Sequence, residues 1–594
     1  MFHKREILLI VPVLILSLMP QPAARAADAL PAAGNWIPTG AVIVVNVSKP
    51  KAALDMILRP KLIEAIESSA LYKAQSADKG FRQFRSLVRL LERRLETDWQ
   101  SIVRRLVGGG ATWAVGPRKA NLLIIDALDT KVLKETHDLL LFLIESEAEK
   151  KGSPARLPST KYAGVTIWSM GPNQAHAIIG RRLMIANSPE VLKAALDLRA
   201  KTGGKSVASL RAYRQALKAA PADAAAVAYA NTAVLKRIPA VAKALDAQKN
   251  PLTALLAAPV TEALSNSTWL GISLKIKNDT LTIDAISDGT LTPTGAAQFA
   301  LPAKASDGAM PNLGVPRRIA AMSLHRDLQG FYAAKDKLFG ERTSGLIFFE
   351  NMMGIFFTGR DLTREVLAET GPKIRLVVAE QKYDPAAGKP ALQFPAFALV
   401  LPLKNPKKFS PVLEEAWQKA IGLVNFTRGQ NAEPGLIIDR PVYRKTKYTV
   451  ACFSPPGDND PKDVDVRFNF RPTLAMPGNH VIFSSTDSLA RDIIDTLDKE
   501  ADRPPKPLAG VHSTLEMNGP QLASILQANR KNLVRQNMVE KGHTQEQAES
   551  EIDVLSAAVR IVSRVVLSIG VDKGRSKVSL KVHLSLPSAS SGGK

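Results

Sequence analysis

The clearest pattern in the sequence is a strict alternation of apolar and polar residues in two stretches, one near the end of each half of the chain. Residues 270–276 and 281–285 alternate in this way around Asn278-Asp279, and residues 565–571 and 578–584 do so around Asp572–Arg575. Because successive side chains of a strand point to opposite faces, a period of two predicts antiparallel hairpins with one hydrated face.

Strands followed directly by helices form a second pattern. Residues 182–188 and 480–486 each end in Ser or Thr, and amphipathic stretches follow at 189–196 and 487–494. A Ser or Thr at this position caps the N-terminus of a helix. Helices and strands that do not alternate strictly predict the α+β class, with mainly antiparallel sheet and packed helices.

The same order of segments occurs twice, which predicts an internal duplication. Six blocks of the first half have a counterpart in the second half at a nearly constant separation. The pairs are 42–46 with 319–325, 97–99 with 360–362, 122–128 with 397–403, Thr160–Tyr162 with Thr446–Tyr448, 182–188 with 480–486, and 231–235 with 518–522. We therefore expect two tandem homologous α+β halves, each closing in a β-hairpin.

The chain is 594 residues long, enough for more than one core. A stretch rich in Gly, Pro, Ala, Ser and Thr separates the halves, which is typical of a linker. The predicted division is a signal peptide at 1–26, a first repeat domain at 27–287, a linker at 288–316, a second repeat domain at 317–586 and a disordered tail at 587–594.

The N-terminus is typical of a secretory signal peptide. A basic start precedes the apolar run Ile7–Met19, and Ala24-Arg25-Ala26 offers small residues for cleavage. The run is too short to cross a hydrocarbon layer of ~30 Å as a helix, although an uncleaved N-terminal anchor is the alternative. We expect an exported protein, periplasmic or extracellular, that could be peripheral to a membrane. With one cysteine, Cys452, it cannot contain an intramolecular disulfide.

These features resemble an uncharacterised family of exported bacterial proteins, known only as a domain of unknown function. The resemblance rests on a strand ending in Val44-Val45-Asn46 that leads into a helix, and on the repeated strand–Ser/Thr–helix unit. It implies a duplicated α+β fold and export, and it brings no catalytic residues to this chain. The sequence departs from the pattern at Glu516-Met517-Asn518, where the strand is more polar than in the first half.

Motifs with known chemistry are scarce. The eight histidines include no pair at the i, i+2 or i, i+4 spacing of a local zinc site, so a metal site would have to join distant histidines. The sequence contains neither a phosphate-binding loop nor a nucleophile elbow. We therefore predict no metal and no cofactor and name no catalytic residue. Whether the protein is an enzyme stays open, with a non-catalytic role favoured.

Charge gives one indication of function. The net charge is +24, which favours association with anions. Four arginines form a stripe beside an apolar repeat at helical spacing within residues 81–95, namely Arg82, Arg85, Arg89 and Arg93. This stripe is either a solvated face partly neutralised by Glu92 and Glu96, or a site for an anionic envelope polymer or lipid headgroups. Nucleic acid is not expected as a partner of an exported protein.

The segment 346–357, with the sequence LIFFENMMGIFF, gives a second indication of function because it is apolar on nearly every face of a helix. It is either a fully buried helix or a segment that contacts a membrane or lipid through Phe348, Phe349, Phe356 and Phe357. Three hypotheses follow, in order of preference. The protein is a non-catalytic binding or structural protein of the cell envelope, a peripheral membrane or lipid-handling protein, or an enzyme without a local motif.

Overall fold

The fold is a mixed α+β structure, which confirms the predicted class. The computed structural model describes residues 30, 32–68, 72, 76, 78–150, 157–169, 173–200, 205–246, 250–291, 295–339, 343–383, 388–454 and 464–585. The predicted signal peptide and the predicted C-terminal tail lie outside these residues.

Two compact units divide the described chain. Unit 1 holds residues 30–241 and 267–289, and unit 2 holds residues 242–266 and 290–585. This division differs from the domains inferred from the sequence, because residues 242–266 of the first half belong to unit 2. Residues 295–316 of the inferred linker also pack there, with Ala297 and Leu313 completely buried.

Unit 1 contains ten strands and nine α-helices among its described residues, with α9 continuing into unit 2. The strands are β1 (Ile43–Val47), β2 (Gly110–Val115), β3 (Asn121–Asp126), β4 (Ser159–Tyr162), β5 (Val165–Ser169), β6 (Ala175–Ile179), β7 (Arg182–Ala186), β8 (Ala226–Asn231), β9 (Trp269–Lys277) and β10 (Thr280–Thr290). The helices are α1 (Lys51–Ile57), α2 (Pro60–Ser68), α3 (Lys79–Leu95), α4 (Trp99–Val107), α5 (Thr130–Lys150), α6 (Pro189–Ala200), α7 (Arg211–Ala219), α8 (Thr232–Leu235) and α9 (Pro239–Asp246).

Unit 2 contains the remaining elements. The helices are α10 (Pro251–Asn266), α11 (Leu328–Ala333), α12 (Lys335–Phe339), α13 (Thr343–Phe356), α14 (Pro406–Gln430), α15 (Asp487–Asp502), α16 (Gly519–Ala528), α17 (Arg530–Lys541) and α18 (Gln545–Ile561). The strands are β11 (Arg318–His325), β12 (Lys373–Ala379), β13 (Ala396–Pro402), β14 (Ile437–Asp439), β15 (Val442–Tyr443), β16 (Thr446–Cys452), β17 (Thr473–Ala475), β18 (His480–Ser484), β19 (Val511–Asn518), β20 (Val562–Asp572) and β21 (Arg575–Leu584).

Both units arrange their strands in the same antiparallel order. In unit 1 the order is β4-β5-β6-β7-β3-β2-β1-β8-β9-β10. In unit 2 it is β14/β15-β16-β17-β18-β13-β12-β11-β19-β20-β21, where β14 and β15 both pair with β16. Each unit buries one face of its sheet under helices, chiefly α6 and α7 in unit 1 and α15 in unit 2.

The terminal hairpins align the two sheets residue by residue. A two-residue turn joins Lys277 to Thr280, and another joins Asp572 to Arg575. Following the pairing register from these turns across both sheets matches three residues of unit 1 to three of unit 2, namely Trp113 to Leu376, Leu123 to Leu399 and Ile185 to Phe483. The same register matches Asn46 to Ser323, two residues before His325, with which the sequence comparison aligned it.

A tyrosine–aspartate hydrogen bond recurs at matched positions. Tyr162 donates to Asp197 at 2.7 Å, and Tyr443 donates to Asp495 at 3.1 Å. The predicted match of Thr160–Tyr162 with Thr446–Tyr448 is therefore wrong, because the former lies in β4 and the latter in β16, which takes the place of β5. Three identical residues suggested this match, whereas the position of a strand in the sheet cannot be derived from the sequence alone.

A buried arginine holds α10 in unit 2. Arg326 is completely buried and donates to the carbonyl oxygens of Leu255 and Leu256 in α10. It also donates to the carbonyl oxygens of His325 and His512 and to Ser513 Oγ. Pro259 lies one turn after Leu255 and has no N–H, so the helix itself leaves the Leu255 carbonyl without a donor. Arg326 supplies that donor, while burial lowers its pKa to about 10.

The substitution Arg326→Met should lower the free energy of unfolding by about 3 kcal/mol, because several buried acceptors lose their donor together. In a Pro259→Ala background the loss should be about 1 kcal/mol smaller, since the alanine N–H can bond to Leu255. Guanidinium-induced unfolding followed by circular dichroism measures both values. Arg360→Met, at an exposed site, is the control, and an equal loss in both backgrounds would contradict the role given to Pro259.

Candidate functional site

An apolar groove lies on the sheet of unit 2. Its floor comes from neighbouring strands β12, β13 and β18, where Leu376, Leu399 and Phe483 stand opposite one another in register, beside the pair Val378 and Phe397. The intervening residues of these strands point to the other face, which α15 covers. Because side chains alternate along a strand, the floor residues are held together on the face away from α15.

Two further segments form the walls of this groove. Trp417 of α14 contributes one wall, and Phe470 and Pro472, in the chain before β17, contribute another. The groove is open to solvent and has a volume of about 370 Å³, and the surface of its lining is almost entirely apolar. Phe397 is 55% exposed although it is a large aromatic residue. The groove is therefore an open apolar site large enough for part of a small ligand.

Polar groups occur at only a few places along the groove. The indole Nε1 of Trp417 is buried and has no hydrogen-bond partner among the described residues. Arg471 lies between the two residues of the second wall but points to the opposite face of the sheet, where its Nε is 3.1 Å from Asp487 of α15. Arg491 contacts the same carboxylate at 3.0 Å, so one acid serves two arginines. The groove thus has one donor in its wall that no described residue satisfies, whereas the two arginines and Asp487 lie on the α15 side of the sheet.

Helix α13, which we call the Phe/Met helix, carries a second apolar surface. Leu346, Met353 and Phe357 pack toward the core of unit 2, so Phe357 is partly buried, as is Phe356. Four residues of the opposite face are exposed by 39–69%, namely Ile347, Phe348, Met352 and Ile355, and Phe349 is 40% exposed. The interpretation of this segment as a fully buried helix is therefore wrong. No helix in the described ranges has both the length and the hydrophobicity to cross a membrane.

The arginine stripe lies on α3 as predicted. Arg82, Arg85, Arg89 and Arg93 are all exposed, and none forms an ion pair with a described residue. Leu87, Leu90, Leu91 and Leu95 of the same helix pack in a core with α4 and α5, while Phe84 is 42% exposed. The expected pairing with acids of the same helix is absent within the described chain: Glu92 instead accepts a hydrogen bond from the backbone of Trp99. No acid of the described chain therefore neutralises these four charges, which can attract anions.

Two histidines that are distant in sequence meet in unit 1. His137 of α5 and His176 of β6 are buried, and their Nε2 atoms lie 3.0 Å apart, so one ring donates and the other accepts. Trp168 stacks on His176. Burial, together with His137, lowers the pKa of His176 to about 4, and burial lowers the pKa of His137. Within the described residues, no three His, Cys, Asp or Glu side chains are grouped to hold a metal ion.

Residues 140–317 match the model of a family described as a protein of unknown function, DUF3352. The match confirms the resemblance to an uncharacterised family for this part of the chain. None of the curated proteins compared with the chain is similar to it in sequence.

Solved structures similar to the chain include crystal forms I and III of TP0453, with 13% and 10% identity. They cover 44% and 43% of this chain and 82% and 79% of their own, at TM-scores of 0.23 and 0.21. At these TM-scores the likeness supports no statement about fold or function.

Acidification should destabilise the protein through the buried histidines. The folded-state pKa of His176, about 4, lies below the ordinary value near 6.5. Between these two pH values His176 is protonated in the unfolded chain but neutral in the folded chain. Stability is therefore lost as the pH falls from about 6.5 to about 4. The substitution His176→Leu should make the loss between pH 7 and pH 4.5 smaller by about 2 kcal/mol.

Leucine is a suitable replacement because Leu474 occupies the sheet position of His176 in unit 2 and is completely buried. Urea unfolding followed by tryptophan fluorescence at the two pH values measures the difference. The control is His583→Leu, at a partly exposed histidine. An acid response unchanged by His176→Leu would contradict the assignment.

Proposed function

We propose that the protein is an exported, non-catalytic component of the bacterial cell envelope that attaches to an anionic membrane surface through the Phe/Met helix. The observation that carries this proposal is the exposure of one apolar face of that helix, where Phe348 is 69% exposed. Exposed contiguous apolar surface is typical of a site of interaction.

The composition of the Phe/Met helix favours a lipid interface as its partner. Its only charged residue is Glu350, whose carboxylate accepts from the Tyr332 hydroxyl and lies 3.8 Å from Lys335 Nζ. The outer face therefore presents no formal charge. Over 14 residues the helix is about 21 Å long, so it is suited to lie in the interface rather than to span the hydrocarbon layer.

The apolar surface continues toward α14. Lys419 donates to Thr358, two residues after the end of the Phe/Met helix. One and two turns further along α14, on the same side as Lys419, lie Leu423 and Phe426, which are 45% and 64% exposed. A surface made from two adjoining helices buries more area in a membrane than one helix would. The charge of Lys419 itself is paired with Glu415, 2.6 Å away.

Net charge supports an anionic membrane over a neutral one. The excess of 24 positive charges attracts anionic surfaces and raises the rate of encounter with them. The arginine stripe on α3, which forms no ion pair with a described acid, is part of this excess. The proposal also includes export through the N-terminal signal peptide, because export would bring the chain to the anionic surface of the cell envelope.

We also propose that the two units arose by duplication of one α+β unit. The common strand order supports this, as do the Tyr162–Asp197 and Tyr443–Asp495 hydrogen bonds. Helix caps recur as well: Asp98 and Asp361 each accept from the backbone three residues on, as do Asn231 and Asn518.

A second candidate is binding of an anionic envelope polymer through the arginine stripe. Four exposed arginines along one helix, none paired with a described acid, are the observation that favours it. This function needs no exposed apolar surface, which separates it from membrane attachment.

The membrane proposal is tested by sedimentation with lipid vesicles. The exported chain should bind vesicles containing phosphatidylglycerol more tightly than vesicles of phosphatidylcholine alone. The double substitution Phe348→Ser and Ile355→Ser should weaken binding about 30-fold, because it removes about 2 kcal/mol of apolar burial.

Val539→Ser is the matched control, because Val539 is 81% exposed and lies outside the apolar surface. Equal binding by the double variant and the unchanged chain would rule out attachment through the Phe/Met helix. Replacing all four stripe arginines by Gln should weaken binding at 0.1 M salt and have little effect at 1 M, where screening is strong. If native envelopes release the arginine variant and retain the Phe348/Ile355 variant, the polymer candidate is supported instead.

A further inference from the structure

We infer that Arg326, His325 and His512 form an acid-sensitive latch, which docks α10 in unit 2 at neutral pH and releases it when the two histidines are protonated. The inference concerns the docking of α10, so it is tested without a membrane. Its consequence for membrane attachment rests on the proposed function and is tested separately.

The latch is built around a buried positive charge. Arg326 is completely buried, and no acid of the described chain forms an ion pair with it. Its five N–H groups all donate to neutral acceptors, namely the carbonyl oxygens of Leu255, Leu256, His325 and His512 and the hydroxyl of Ser513. Dipoles alone therefore balance the charge of Arg326, and a second positive charge beside it would be unfavourable.

His512 is the first group that can supply this second charge. It is completely buried, and Ser513 Oγ lies 2.9 Å both from its Nδ1 and from the Arg326 guanidinium. Because the guanidinium can only donate, the hydroxyl keeps its own hydrogen for Nδ1 of a neutral ring. Protonation would place an N–H on Nδ1 against the same oxygen. It would also charge a ring whose buried Nε2 has no partner among the described residues.

His325 is the second group of this kind. It directly precedes Arg326 in the chain, is buried, and has an Nδ1 without a partner in the described structure. Arg326 and Lys373 oppose its protonation, whereas Asp307 favours it. Burial, together with the two cations, lowers the pKa of His325. Burial, together with Arg326 and His325, lowers the pKa of His512 to about 3.

Acid therefore favours the released state of α10. A histidine that leaves its buried site regains the ordinary pKa near 6.5. Between pH 6.5 and about pH 3, His512 is then protonated when α10 is released but neutral when α10 is docked. A change from pH 7.5 to pH 4.5 should shift the equilibrium about 100-fold toward release through His512 alone. His325 acts in the same direction.

Release of α10 would uncover apolar surface beside the Phe/Met helix. Ala254 and Leu255 of α10 pack in one cluster with Phe331, Phe339 and Leu346. Leu346 is part of the Phe/Met helix itself. Losing α10 would therefore enlarge the apolar surface that the proposed attachment uses, and acid should strengthen binding to a membrane.

The latch is present in unit 2 but not at the matched positions of unit 1. The pairing register matches His325 to Ser48, Arg326 to Lys49 and His512 to Ala225. Ser48 and Lys49 are exposed. The strand order that the two units share therefore does not require a buried cation here, and the buried cation of unit 2 occurs where α10 docks.

Double electron–electron resonance between two nitroxide labels measures the docking of α10. In a Cys452→Ser background, one label is attached at Leu252→Cys in α10 and the other at Val539→Cys in α17, both at exposed sites. The distance distribution should be narrow at pH 7.5 and broad at pH 4.5. A control pair at Phe426→Cys and Val539→Cys, neither in α10, should stay narrow at both pH values because the rest of unit 2 remains folded.

Substitutions in the latch should move the pH of release. With His512→Asn, release should need a pH at least about one unit lower, because one of the two protonation sites is lost. Arg326→Lys keeps the charge but has three N–H donors for five acceptors, so it should release α10 at a higher pH. His480→Asn is the matched control, because burial and Arg375 lower the pKa of His480 to about 4 without any part taken by Arg326. It should leave the release of α10 unchanged.

Three outcomes would overturn the inference. The first is a narrow distribution between the labels at 252 and 539 at pH 4.5. The second is that the control pair broadens at the same pH, which would indicate acid unfolding of the whole unit. The third is that His512→Asn and His480→Asn have equal effects on the release of α10.

Sedimentation with phosphatidylglycerol vesicles tests the consequence for attachment. Affinity should rise about tenfold between pH 7.5 and pH 4.5 for the unchanged chain and for His480→Asn, and should rise less for His512→Asn. An equal rise in all three would contradict the link between the latch and the membrane. If acid releases α10 but no form binds vesicles, the membrane proposal fails and the latch is still supported.

Discussion

The antiparallel pairing register is the constraint on which the rest of each unit depends. Once Val377 and Val400 point to α15, their neighbours Leu376 and Leu399 must point to the opposite face. A shift of one residue would exchange the two faces and place the groove residues against the helix. In β12 and β13 both faces are apolar, so the side opposite α15 also needs a cover. Exposing such apolar surface to water is unfavourable in free energy, and contact with a ligand or another surface removes this penalty.

The two units illustrate how one strand order can carry different side chains. His176 and Leu474 occupy the same sheet position, and so do Trp113 and Leu376. The sheet accommodates both members of each pair, but with different consequences. A buried histidine is kept neutral and makes stability depend on pH, whereas a leucine does not. Backbone hydrogen bonds therefore determine the strand order that the two units share, and the units differ in the side chains that the strands carry.

Local patterns predicted the fold class and the closing hairpins, because alternation and helix caps involve residues close in sequence. The groove could not be predicted in this way, since Leu376, Leu399 and Phe483 come together only through strand pairing. The match of Thr160–Tyr162 with Thr446–Tyr448 was wrong for the same reason, because strand pairing decides which segments correspond. The position of α10 in unit 2 depends on Arg326, 67 residues beyond the proline that leaves a carbonyl free. The Phe/Met helix was recognised from composition, but only the packing of Met353 and Phe357 indicates which face is left outside.

Exposed apolar surface and high net charge have opposite effects on the association between copies of this chain. Apolar faces such as that of the Phe/Met helix would promote association between copies if nothing opposed it. A net charge of +24 opposes it, because copies of the same chain repel one another. An anionic surface reverses the sign of this interaction and brings the apolar face into contact range. In the proposed attachment, the charge makes the apolar contact selective, because it disfavours self-association and favours an anionic surface, and this selectivity should weaken as salt screens the charges.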